Sequence, residues 1–391
     1  MKQLYWKCRI LYSLYYVLVY PSMMMTSAHL LLAGYTPSEI AGFLVLQNLV
    51  LLLLRPLSGI LIDKAKCHLL FTVLSVSMLA GVWAFFGWNG ERMIRAGLYA
   101  CLTAGASGVL MGTADGWVLK LSSEHPGMDY AGARAFGSIS FAVTGLVYGR
   151  VLARFGLAAA PYVISILVLI IVATAWFIPE PGIRPAGAER ERPKQRFWLF
   201  RSRTILMFAI SVALGEAVLN FTDSYISVLF LERGGTAFHV GLFDFLRAVI
   251  EFAVMAEFVH IARRFDTGTI LMAGLFGFFL KGFLFGSAGS IPAMMACCAL
   301  QAVSFPLLEP GKMKFIKEHT DPSEIATALA SVHLLASILI TLVITPAMGV
   351  LIARFGTGIA MMLNSFLALL GIVLFRLFCC GRRKQNAGSG S

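Results

Sequence analysis

The chain has 391 residues, of which 58% are hydrophobic and only 13% charged, with a formal net charge of +12; its mean hydropathy is +0.80. That balance excludes a soluble globular domain. The positive charge, which in a soluble protein would point to nucleic acid, has to be read from where it falls along the chain.

Twelve apolar runs follow one another, each near or above the roughly 20 residues an α-helix needs to cross a bilayer. They cover 10–33, 38–62, 68–88, 96–121, 130–153, 157–178, 204–231, 237–262, 268–288, 291–316, 323–353 and 357–378. Continuous runs such as LVLQNLVLLLL and YVISILVLIIVATAWFI exclude the alternation of a transmembrane β-barrel. The expected fold class is an all-α membrane protein with twelve transmembrane helices. With the N-terminus inside, 21 of the 32 Lys and Arg fall on cytoplasmic segments and six face outward. The positive-inside rule therefore predicts both termini in the cytoplasm of a multi-pass inner (plasma) membrane protein, its first run a true span rather than a cleaved signal.

The first span carries Tyr12, Tyr15, Tyr16 and Tyr20, read mainly as packing, as is His29. The loop after the second span reads RPLSGILIDKAK, with Gly59, Asp63 and Lys64. On the fourth and fifth spans, Asp115 and Arg134 fall at the same inward depth at 1.5 Å per residue, about 10 to 12 Å from the midplane, and are expected to pair. The seven cysteines form no extracellular disulfide pattern.

Residues 179–203 are the long polar interruption, with four prolines and seven Lys or Arg, and they divide the spans six and six. The sequence GRVLARFG at 149–156 returns as GVLIARFG at 349–356, and YTPSEIAGF at 35–43 is echoed by GTAFHVGLF at 235–243. Two six-helix repeats follow: 1–178 and 204–381, joined by the 179–203 linker and ending in a cytoplasmic tail, 382–391.

The second half concentrates charge inside the membrane. Glu216 and Asp223 on the seventh span are seven residues apart and so share a face; Asn220 lies between them. Asp244, Arg247 and Glu251 on the eighth span lie within about 60° of one another. A lone charge at mid-membrane costs roughly 2.5 to 3.5 kcal/mol, so three on one face imply a bundle interior or a watery cavity. Arg247 is expected to offset one or both of its neighbouring carboxylates, as part of a site or as a tie between helices. On the tenth span Glu309 sits between Pro306 and Pro310, where a bent, hydratable helix would let a carboxylate gain and lose a proton. Lys312 reads as a side chain snorkelling to the cytoplasmic face, and Lys281 is ambiguous for the same reason.

Taken together, these features resemble the major facilitator superfamily over essentially the full length. RPLSGILIDKAK is similar to that superfamily's loop between helices 2 and 3, which implies a conformational role for Gly59, Asp63 and Lys64. DYAGARAFGSISFAVTG, with Arg134, Phe136, Gly137, Ser138 and Phe141, resembles the fifth helix of the phenylpropionate permease, nucleoside symporter and lactose permease branch. LQAVSFPLLEPGKMKFI and VGLFDFLRAVIEF are similar to helices 10 and 8 of the phenylpropionate permease group, with Asp244 and Arg247 as departures. The resemblance implies that Arg134 contacts the solute; the residues themselves also allow an inner-gate role.

No Walker, His-Glu-x-x-His, Cys-x-x-Cys or Gly-x-Ser-x-Gly pattern occurs, so neither an ATP-driven pump nor an enzyme is expected. The expectation is a secondary transporter of a small organic solute, coupled to protons by symport, with efflux antiport or a transporter-fold receptor as other readings. Solute contacts are expected at Arg134, Ser138, Phe141, Asp115, Asn220, Asp223, Asp244, Arg247 and Glu251, and proton coupling at Glu216, Glu251 and Glu309. No metal, cofactor or nucleic acid is expected; the partners are solute, proton and membrane lipid, in a monomer.

Overall fold

The computed structural model describes the backbone of residues 2–65, 67–79, 81–87, 90–125, 130–180, 203–321 and 324–380. The side chains of Asp63, Lys64 and Arg134 lie outside the described residues, as do nearly all of the 179–203 linker and the 382–391 tail.

All regular structure among the described residues is helical, and it falls into twelve successive stretches. α1 comprises Lys2–Val19, a π turn at Tyr20–Met24 and Thr26–Leu32. α2 is Pro37–Ala65, α3 is His68–Met78 with Gly81–Gly87, and α4 is Arg92–Glu124. α5 is Tyr130–Phe155, α6 Ala160–Trp176 and α7 Arg203–Glu232. α8 is Ala237–Ala256 with a short continuation, Phe258–Arg264, and α9 is Thr267–Ser287. α10 has three parts: Ile291–Ala296, a 3-10 stretch at Cys297–Val303, and Phe305–His319. α11 is Ile325–Leu339, a π turn at Ile340–Ile344 and the start of Thr345–Phe375. The last of these breaks at Gly356, beyond which it is α12.

Nine segments among the described residues are long and apolar enough to span a bilayer by composition. The last, Thr327–Cys379, turns at Gly356. Ala237–Ala256 is long enough but carries Asp244, Arg247 and Glu251, so its charge alone sets it apart. The chain is thus an all-α, multi-pass membrane protein.

The twofold repeat is written into the backbone. Positive φ occurs at Gly34 (87°), Gly156 (71°), Gly234 (80°) and Gly356 (82°), two pairs each 200 residues apart. Only glycine adopts this region without steric cost, so each pair marks the same turn in the two repeats.

Two compact units result: Met1–Ala188 with Gly234–Phe245, and Glu189–Arg233 with Leu246–Ser391. Compared with the expected halves, the opening turns of α8 group with α1 to α6. The cause is a glycine groove on α5. A Cβ at Gly241 would stand 1.9 Å from Gly145 O, and one at Gly149 would stand 2.5 Å from Ala237 O. The two backbones touch because neither has a side chain there to hold them apart.

Candidate functional site

In the second unit the charged residues of α7 to α10 meet in pairs that cross between helices. Asp223 on α7 accepts from Arg247 Nη1 on α8, and Lys281 Nζ on α9 lies 3.8 Å from the same oxygen. Lys281 Nζ donates to Gln301 Oε1 at 2.9 Å, and Gln301 Nε2 donates to Glu251 Oε2 at 3.1 Å. One polar chain therefore runs Arg247, Asp223, Lys281, Gln301, Glu251 across four helices, with two carboxylates set against two cations. Lys281 and Gln301 are 1% and 2% exposed. At such burial a charge persists only when paired and hydrogen-bonded.

A second cluster adjoins it through α7. Lys312 Nζ lies 2.8 Å from Glu216 Oε1 and 2.7 Å from Glu309 Oε2. His333 Nδ1 on α11 is 3.8 Å from the other Glu216 oxygen. The Lys312 side chain is fully buried, whereas those of Glu309 and His333 are 35% and 48% exposed. Two carboxylates share one ammonium here, so with neutral histidine the cluster holds one negative charge in excess.

One expectation changes against this geometry and two gain detail. Lys312 does not snorkel: it is buried in the polar core of the unit. Glu309 lies on the helix Phe305–His319, which Pro306 opens at the position where a missing N–H is tolerated and which holds Pro310 inside it; the irregular winding beside it is upstream, at Cys297–Val303. Arg247 reaches across to Asp223, and its charge also acts on Glu251, as its expected role of offsetting a neighbouring carboxylate requires. Its neighbours on α8 meet other helices, Glu251 through Gln301 and Asp244 through Tyr20 Oη, which donates to it at 2.8 Å. Asn220 is half-buried on α7, one turn from Glu216.

In the first unit Asp115 accepts from Tyr12 Oη at 2.7 Å. Its expected pairing with Arg134 falls on a side chain outside the described residues. Phe141 packs its ring against Tyr20 and Tyr16, with centroids 5.0 and 6.5 Å apart, and Ser138 is exposed. The α1 tyrosines do more than pack: Tyr15 Oη and Thr72 Oγ1 are hydrogen-bonded at 2.8 Å, and Tyr20 anchors Asp244, which belongs to the same unit. His29 is fully buried between the hydroxyls of Tyr99 and Tyr148, at 2.6 and 2.8 Å. Among the described residues, nothing lies within 4 Å of where a Cβ at Gly59 would stand.

Sequence reasoning did not place Lys281, Gln301, Lys312 or Tyr20 in these networks. A lysine within an apolar run was the available signal for two of them. Among the described residues no group of His, Cys, Asp and Glu could hold a metal ion.

The model of the MFS_1 like family matches residues 5–357. Maltose permease of Geobacillus stearothermophilus is 22% identical over 358 residues, 91% of this chain and 89% of that protein. A crystal structure of a point variant of the nucleoside transporter NupG superposes with a TM-score of 0.81 at 14% identity, over 96% of this chain and all of that one. A D-xylose-proton symporter gives a TM-score of 0.69 at 14% identity, over 95% of this chain and 97% of that one. At these identities the structural likeness is one of fold.

Proposed function

The chain belongs to the MFS_1 like family, and we propose that it is a secondary transporter that carries a neutral polar organic solute, a sugar or nucleoside, by alternating access with proton symport. The observation that carries the coupling is the Glu216, Lys312 and Glu309 cluster, where two carboxylates share one buried ammonium. Its excess negative charge is the place for the travelling proton, and the exposed faces of Glu309 and His333 are its way in or out.

The solute reading rests on charge balance. In the neighbouring chain Arg247 and Lys281 are already matched by Asp223 and Glu251, so an anionic solute would find no surplus cation there. A polyhydroxylated neutral solute needs donors and acceptors side by side, which Asp223, Arg247, Glu251 and Asn220 supply in this unit. In the first unit Arg134, Ser138 and Asp115 carry such groups, and Phe141 offers a ring face for the apolar side of the solute. Asp244, buried under Tyr20, ties helices together rather than touching solute. The fold and the named relatives, a maltose permease, a nucleoside transporter and a D-xylose-proton symporter, are consistent with this class. We place the protein in the inner (plasma) membrane with both termini cytoplasmic.

The test is uptake by proteoliposomes of radiolabelled uridine, maltose and D-xylose, with and without an inward proton gradient. The expected result is accumulation of one of them that a protonophore abolishes. Gradient-independent, purely equilibrative movement would remove proton coupling, and no movement of any of the three would remove the solute class.

A further inference from the structure

The interruption of α10 has a winding of its own. From Cys297 to Val303 the chain is a 3-10 helix, three residues to the turn, and burial follows that spacing. Cys298, Gln301 and Ser304 are buried while Ala299 and Val303 between them are exposed. α9 makes room for it. A Cβ at Gly277 would stand 1.9 Å from Val303 O, and one at Gly274 would stand 2.9 Å from Leu308 N. In a continuous α-helix Gln301 would be turned about 60° from the line of Cys298, so the 3-10 winding is what aims Gln301 at Lys281.

Once aimed, the amide is held by the polarity of its neighbours. Its oxygen accepts from Lys281 and its nitrogen donates to Glu251. An ammonium can only donate and a carboxylate can only accept, so the reversed amide is opposed at both ends. Gln301 is thus an uncharged link between two helices whose charges have no direct bond to each other in this arrangement.

We propose that Gln301 is the positioning residue through which the winding of α10 and the charges of the Asp223, Lys281 and Glu251 chain change together during transport. It rests on the transport reading above and adds the residue that ties the two motions. Rewinding 297–303 into α-helix turns Gln301 out of the gap. Lys281 then moves toward Asp223, already 3.8 Å away, in competition with Arg247. Solute that engages Asp223 or Arg247 acts on the same equilibrium, and its differential affinity for the two windings is what shifts them.

The experiment has two arms, both on the full chain in proteoliposomes at one pH. The first needs no solute: hydrogen exchange of residues 297–304 in wild type, Gln301→Met, Lys281→Met and the double variant. Each single variant is expected to exchange at least about five- to tenfold faster there, the factor expected from loss of one buried hydrogen bond, since Lys281→Met removes one of the amide's two bonds and Gln301→Met both. The double variant is expected to go no faster, because both break one link. Additive effects, or none, would overturn the proposal. The second arm uses whichever of uridine, maltose or D-xylose the wild type carries. Gln301→Met is expected to lower kcat about tenfold with KM within about twofold. Gln301→Glu combined with Glu251→Gln, which keeps the charge count and both contacts while reversing the direction of the second hydrogen bond, is expected to recover at least about a third of kcat. A wild-type kcat in Gln301→Met, a same-length apolar replacement, would overturn the proposal. If wild type carries none of the three solutes, the transport reading fails while the exchange arm still decides the link.

Discussion

Lys312 and Glu216 meet across α10 and α7 at 2.8 Å, with the ammonium fully buried and Glu309 2.7 Å from its other side. Removing one partner of a buried pair costs about 3 to 5 kcal/mol, because the other charge is left behind without compensation. Lys312→Met is therefore expected to lower the melting temperature in detergent and abolish accumulation. Adding Glu309→Gln removes one of the stranded carboxylates and should return part of the lost stability. A double variant no more stable than Lys312→Met would mean that Glu309 contributes nothing to the cluster.

The cross-helix bond from Arg247 to Asp223 names the partner that should rescue a broken site. Arg247→Ala is expected to lose transport at neutral pH. Arg247→Ala with Asp223→Asn should regain expression and thermal stability. No recovery in this pair would show that Asp223 is not the carboxylate stranded by the loss of Arg247.

Tyr20 Oη donates to the buried Asp244 at 2.8 Å. A hydrogen bond to a charged group contributes about 1.5 to 3 kcal/mol, so Tyr20→Phe is expected to destabilise by that order in a thermal melt. Phe141, packed on the same ring, should remain in place. A neutral effect would show that Asp244 depends on other contacts.

The two repeats open their second helices with the same cap in different chemistry. Thr36 N and Oγ1 donate to Glu39 Oε2 at 2.7 and 2.9 Å. Two hundred residues on, Thr236 N donates to His239 Nδ1 at 3.1 Å and the Thr236 hydroxyl lies 3.0 Å from that nitrogen. Asp266 caps α9 in the same way, through the Thr269 hydroxyl and N–H. Those bonds hold its carboxyl below the usual range, so its cap is complete above the ordinary carboxylate pKa of ~3.9 and lost only at lower pH. Between pH 7.5 and 5, we expect hydrogen exchange at the start of α9 to stay level after correction for intrinsic rates, and Asp266→Ala to raise it throughout that range. A rise in the wild type between these pH values, or no effect of the substitution, would show that Asp266 is not what holds the turn.

Gly356 reproduces the positive φ of Gly156, 82° against 71°. There is open space around both, so alanine at either would be penalised by backbone conformation alone, about 1 to 2 kcal/mol. Circular dichroism melts of Gly156→Ala and Gly356→Ala should show similar losses, and an unchanged melt would mean that the turn relaxes freely.

What the sequence made legible was whatever repeats or runs continuously. The twelve apolar runs, the Gly-terminated ARFG turns and the shared face of Asp244, Arg247 and Glu251 could all be found by counting. Pairing across helices could not, because it depends on rotation about each axis. The 3-10 stretch in α10 shows why. Seven residues at about 120° each, instead of about 100°, turn everything after them by about 140°. Lys312 lies after that stretch, so the side it presents cannot be carried forward from the start of the run. Nor does spacing reveal that a glutamine twenty residues from Lys281 will bond it.

The groove on α5 that receives the opening turns of α8 also sets an order of events in biosynthesis. A ribosome delivers α1 to α6, then the linker, then α7, before residues 234–245 emerge to fill the space against Gly145 and Gly149. Until then α5 presents bare backbone to lipid or to the insertion machinery, and the first unit, although first made, is not the first to be completed. A nascent chain stalled after α6 is accordingly an unfinished unit rather than an independent half, and quality control in the membrane meets it in that state.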